Sequence, residues 1–236
     1  MSERKLKRFW TAAATAPEGD GFAVHLDGRP LRTPAKQPLI LPTDALARAV
    51  AEEWDAQVKV VDPTTMPLTR GANAAIDKVS VQHADVASLL ADYGDSDLLC
   101  YRATEPKELV ARQAAGWDPL LTWARDAQDI DLKVFSGVIH QPQSAAARAT
   151  IAAKAHALDA FALAAFHDLV SLSGSFIIGL AAIEGQSDPQ TLWALSRIDE
   201  TWQEGQWGID EEAAQLAARK REDFLQAVRF HALSRG

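Results

Sequence analysis

The chain has 236 residues and a single cysteine, Cys100, so it holds no internal disulfide and suits a reducing compartment. Leu98, Leu99 and Tyr101 flank that cysteine and Asp95 and Asp97 precede it, so it reads as a small buried hydrophobe. The exposed, electropositive setting that a catalytic thiolate needs is missing. Long apolar runs are missing as well. The longest, 161–166 and 176–183, fall far short of the roughly 20 residues that a membrane span requires. Residues 1–8 are basic, but 9–16 contain polar residues and lead into Pro17-Glu18-Gly19-Asp20, so the apolar core of a signal peptide is absent. A cytoplasmic location is therefore expected.

Phosphate-binding loops are lacking too. There is no Walker spacing and no G-x-G-x-x-G run, and Gly19 and Gly21 are explained by a hairpin turn. The histidines, His25, His83, His140, His156, His167 and His231, lie without the i, i+4 pairing or cysteine partners of a zinc site, so neither a metal nor a cofactor is expected. The segment 171–176 holds serines but not the strand and G-x-S-x-G frame of a nucleophile turn. Net charge is −8, which opposes the phosphate neutralisation on which nucleic-acid binding depends and fits, if anything, a basic partner surface.

What the chain does have is two kinds of pattern. From Phe9 to Leu41, short apolar runs are separated by turn residues, the signature of a small antiparallel meander. Phe22, Val24 and Leu26 alternate with Ala23 and His25, and Asp27-Gly28 is a strong hairpin signal because both residues tolerate positive φ. Thr43 is a candidate N-cap for a helix whose face carries Leu46, Val50 and Trp54 and should cover the sheet. Residues 58–61 read as one more strand. The interruptions Asp62-Pro63 and Met66-Pro67 place a boundary near residue 70, giving an N-terminal unit, 1–70, and a C-terminal unit, 71–236.

The second unit is alanine-rich and helix-periodic. Breaks are expected at Tyr93-Gly94, Glu105-Pro106, Asp118-Pro119, Gln141-Pro142, Asp188-Pro189 and Trp207-Gly208. Residues 144–166 read as one long helix, and 173–184 as a nearly all-apolar helix central to a bundle. The predicted fold class is α+β: a small antiparallel sheet with a covering helix, then an all-helical domain.

Paired acids at Glu52-Glu53 and Glu211-Glu212 cannot easily share a proton, since adjacent helical residues diverge by about 100°, and Glu52, Glu211 and Glu212 read as solvated helix faces. Asp199-Glu200 differs, because Trp202 and Trp207 follow closely. Acid and large aromatics on one short segment favour a protein contact, while ordinary packing of Trp202 explains the same pattern equally well.

Several ordered phrases carry a resemblance. They are residues 26–34 (Leu-Asp-Gly-Arg-Pro-Leu-Arg-Thr-Pro), 53–57 (Glu-Trp-Asp-Ala-Gln), 66–70 (Met-Pro-Leu-Thr-Arg), Ala75-Ile76-Asp77, 93–102, Gln113, 117–121 and 196–208. Together they resemble the assembly chaperones of the F-type ATP synthase catalytic head that bind its free alpha subunit, over nearly the whole span from about Phe9 to Gly208. The resemblance implies a monomeric chaperone without catalytic activity, cofactor, metal, nucleic-acid or membrane partner. Such a protein covers an aggregation-prone interface of the alpha subunit until the alpha/beta hexamer forms. Eukaryotic relatives are mitochondrial, and this chain reads as a bacterial cytoplasmic version.

It also implies roles for particular residues. Glu200, or its neighbour Asp199, matches an acidic position important for the client, with Trp202 and Trp207 beside it. Trp54, Asp27, Gly28 and Asp77 match structural positions of the motif. The alternative from another class is a small-molecule enzyme with its site between the two domains, where Arg70, Asp77, Asp97 and Arg102 would converge.

Overall fold

The computed structural model describes residues 7–137 and 139–236. They fall into two compact units: the first comprises 1–83, 159–165 and 229–236, the second 84–158 and 166–228. The first unit thus runs past the proline breaks to residue 83 and takes back two later stretches, where the sequence suggested a single division near 70.

In the first unit, β1 (Ala13–Glu18) pairs antiparallel with β2 (Gly21–Leu26), while β3 (Arg29–Pro30) and β4 (Ile40–Leu41) both pair with β2. Leu26 stands opposite Arg29, so Asp27 and Gly28 form a two-residue loop, and their φ values of 47° and 80° are those the sequence pair predicts. Burial along β2 departs from strict alternation. Val24 and Leu26 are buried as expected, but Ala23 is buried too and Phe22 only half so.

Helix α1 (Asp44–Asp55) starts where predicted, with the Thr43 hydroxyl accepting from Leu46 N at 3.1 Å. It packs on β1 and β2 through Leu46 and Val50, both fully buried, with Trp54 half-buried at the end of the stripe. The strand expected at 58–61 does not form. Val60 makes a lone bridge to Lys7 and Val58 is 79% exposed. The cause is Gln57, whose side chain donates to Glu53 O and Thr65 Oγ1 and accepts from Asp62 N, folding the stretch into a turn. Helix α2 (Pro67–Ala74) follows and passes into a π-helical turn, Ala75–Val79.

The second unit is helical, apart from a short parallel pairing of β5 (Tyr101–Arg102) with β6 (Phe135–Ser136). Its helices are α3 (His83–Asp95), α4 (Lys107–Gln128), α5 (Ala145–Ala157), most of α6 (Ala160–Ser173), whose first residues belong to the first unit, α7 (Phe176–Ile183), α8 (Pro189–Leu195), α9 (Ile198–Trp207) and most of α10 (Glu211–Arg235), whose last residues also belong to the first unit. As predicted, α7 is central: every residue from Phe176 to Ala182 is buried, and Phe166 meets the Phe176 ring edge-on at 4.9 Å. The α+β class therefore holds.

Other expected boundaries differ: one break is absent and one is added. Helix α3 ends at Asp95, one residue past the Tyr93-Gly94 break, and Gly94 also serves packing: a Cβ there would lie 2.6 Å from Ile151 Cδ1. Helix α4 continues through Pro119, held by buried Trp117, Leu120 and Ala124 despite the lost backbone donor. The single helix read over 144–166 is two, since the Asp159 carboxylate accepts from Phe161 N and Ala162 N, both at 2.9 Å, and starts α6.

Candidate functional site

Helix α9 carries the acid and aromatic cluster, and the local sequence fixes how it lies on α4. Gly116 admits the contact, because a Cβ at that position would stand 2.7 Å from Ile198 Cδ1 and 2.9 Å from Leu195 Cδ2. Next to it the buried Trp117 donates its indole N–H to Leu195 O at 2.8 Å. Gln113, 1% exposed, accepts from Ala103 N at 2.9 Å and donates to Asp199 Oδ1 at 2.6 Å. A buried amide with both ends used fixes the rotation of α9 about its axis, since turning Asp199 away would strand the amide without its acceptor.

With Asp199 turned toward α4, Glu200 faces solvent. It pairs with Arg197 at 2.8 Å, and the same guanidinium reaches Glu204 at 3.6 Å. Trp202 is half-buried, with the Arg112 guanidinium 5.4 Å from its ring centre, a cation–π stack linking α9 to α4. Trp207 ends the helix 80% exposed, and Ile209, two residues on, is 71% exposed. Gly208 between them takes φ 92°, and its N–H bonds Glu204 O at 2.9 Å. Asp210 then caps α10, accepting from Glu212 N and Ala213 N. The predicted residues Asp199, Glu200, Trp202 and Trp207 are therefore on one helix with three distinct duties: bonded inward, open to solvent, or stacked.

Gln113, Arg112, Arg197 and Ile209 complete this face and carried no functional reading in the sequence. Gln113 stood within the recognised phrases, yet nothing local distinguishes a buried glutamine from a solvated one.

The motif residues of the first unit serve its packing. Trp54 meets Trp10 edge-on at 5.2 Å, and its indole N–H has no partner among the described residues. The Asp27 carboxylate accepts from Thr11 N and Ala12 N, bonds that hold its pKa below the usual range, while Gly28 supplies the turn. Asp77 accepts from Ala35 N at 3.0 Å. Glu53 receives Leu68 N, Thr69 N and Thr69 Oγ1 at 2.7–2.8 Å and so caps α2, whose own N-cap residue offers no side-chain bond.

Of the residues that an enzyme would bring to a ligand, Asp77 has the bond just given. Asp97 is fully buried, accepting from Leu99 N, Ser175 Oγ and Ile177 N, and desolvation pushes its carboxyl up to about 6. Arg102 donates to Leu99 O, pairs with Asp118 at 2.8 Å and stacks over Trp117, while Arg70 is exposed. Cys100 is fully buried and burial drives its thiol pKa far up, which leaves it unreactive. Among the described residues no cluster of His, Cys, Asp and Glu could hold a metal ion, and no helix is long and apolar enough to cross a membrane.

Comparison with known proteins adds a family to this geometry. Residues 7–125 match the sequence profile described as ATP12 chaperone protein. The crystal structure of Atp12 from Paracoccus denitrificans superposes with a TM-score of 0.95 at 51% identity, covering 97% of this chain and 98% of that one. An aspartate-to-lysine variant of the same Paracoccus protein gives a TM-score of 0.95 at 50% identity, with the same coverage. The mitochondrial protein atp12 of Schizosaccharomyces pombe is 25% identical over 228 residues, 92% of this chain and 78% of the relative. With half its length under the family profile and close structural relatives matched end to end, the chain belongs to the ATP12 chaperone family.

Proposed function

We propose that this protein is an assembly chaperone of the F-type ATP synthase that holds the free alpha subunit of the catalytic head in the bacterial cytoplasm, as a monomer and without catalytic activity. The carrying observation is the α9 face, where Trp207 stands 80% exposed about two turns along from Glu200, on a helix locked to α4 through Gln113. A large exposed aromatic on a rigid support is an anchor for a partner surface rather than a core residue. An unassembled subunit exposes more apolar surface than monomers tolerate, and a matching face delays its aggregation without needing nucleotide or metal. In this reading Glu200 touches the client, and Asp199 positions the helix that presents it.

Co-expression of the chain with the alpha subunit and, separately, the beta subunit of its host's ATP synthase tests the reading by pull-down and size exclusion. Soluble complex with alpha alone is the expected result. Complex with neither, or with beta alone, overturns it.

A further inference from the structure

The charge around the exposed aromatic is one-sided. From residue 198 to 218 the ionisable side chains are Asp199, Glu200, Glu204, Asp210, Glu211 and Glu212, with no lysine or arginine among them. Two of these are committed elsewhere, Asp199 to Gln113 and Asp210 to the cap of α10. Arg197 is shared between Glu200 and Glu204, Arg112 is stacked on Trp202, and the next cations along the chain, Arg219, Lys220 and Arg221, lie two turns and more into α10. Glu211 and Glu212 are exposed in the first turn of α10, where the N-terminal end of the helix dipole steadies their charge. At the centre of this acidic stretch sit Trp207 and Ile209, exposed on either side of Gly208.

We infer that the docking surface extends past α9 across the α9–α10 turn and takes an apolar pocket ringed by lysine and arginine on the client, with Trp207 and Ile209 as the inserted anchors. The inference rests on the proposed chaperone reading and adds the chemistry of the partner. The charge decides between occupants. A second copy of this chain would set carboxylate against carboxylate, and a nucleic acid would set them against phosphate, both repulsive. A basic-rimmed protein surface is attracted from a distance by the same carboxylates and retained by the two apolar side chains.

The two halves separate kinetically, because anchors act on dissociation while rim charges act on association and its salt dependence. The test titrates the full chain with purified alpha subunit at low and high salt. The double variant Trp207→Ala with Ile209→Ala should melt like the unaltered protein and bind at least roughly tenfold more weakly, through faster dissociation. Glu211→Lys with Glu212→Lys should slow association and flatten its salt dependence. Unchanged affinity in the alanine variant, association indifferent to salt, or a dimer of the chain alone that the alanine variant dissolves would each overturn the inference. If the unaltered chain binds no alpha subunit, the chaperone reading itself fails first, and this extension goes with it.

Discussion

Single side chains in this protein are most informative where a polar group is buried. Asp97 accepts three hydrogen bonds, yet desolvation outweighs them and lifts its carboxyl from 3.8 to about 6. A pKa higher in the folded than in the unfolded chain means the native state binds the proton more tightly. That contribution favours folding fully below pH 3.8 and is lost as the pH rises through about 6. Comparing denaturant midpoints of the unaltered protein and Asp97→Asn from pH 7 down to 4 should show the difference moving in favour of the unaltered protein. A difference that stays flat would mean that Asp97 titrates as an ordinary carboxylate. Glu53 offers a second case. Removing its carboxylate in Glu53→Ala strands the Leu68 and Thr69 donors at the start of α2 and should cost about 2 kcal/mol, whereas Glu52→Ala, on the exposed side, should cost almost nothing. Trp54→Arg puts a charge against Trp10 and should lower the melting temperature by several degrees. A melt matching the unaltered protein would mean that Trp54 is not part of the packing.

At the level of elements, packing through glycine is as telling as packing through bulk. Gly94→Ala should destabilise the α3–α5 contact by about 1–3 kcal/mol, and Ile151→Val should recover part of that loss if the clash is with Cδ1. The same elements show which features were legible beforehand. The Asp27-Gly28 hairpin, the Thr43 cap and the all-apolar α7 follow from chemistry contained in a few consecutive residues, and all three are present. Pro119 within α4 and the Asp159 start of α6 misled because the deciding factor in one is burial of Trp117 and Leu120, and in the other a cap hidden in an alanine-rich run. The turn at 58–61 and the Glu53 cap depend on side chains that close over 5–16 residues, a separation that periodicity does not register. On α9 the cluster of acids and tryptophans was visible, but the inward turn of Asp199 depends on Gln113, 86 residues away.

For the whole molecule, the division of labour between Asp199 and Glu200 is the property to test. Glu200→Lys changes an exposed side chain and should leave the melt unaltered while abolishing capture of the alpha subunit. Asp199→Lys removes the acceptor from the buried Gln113 amide and should lower stability together with capture. Equal melts for the two variants would assign both acids to the client surface. The first unit, finally, is not a contiguous stretch of chain. The Thr43 hydroxyl that caps α1 also donates to Leu233 O, Phe230 stacks on Phe161 at 6.1 Å and lies against Gly71, and residues 229–236 belong with 1–83. During synthesis the sheet and α1 emerge long before residues 229–236, which close over them, so the N-terminal unit stays incomplete until that segment, 190 residues beyond Thr43 at Leu233, has been made.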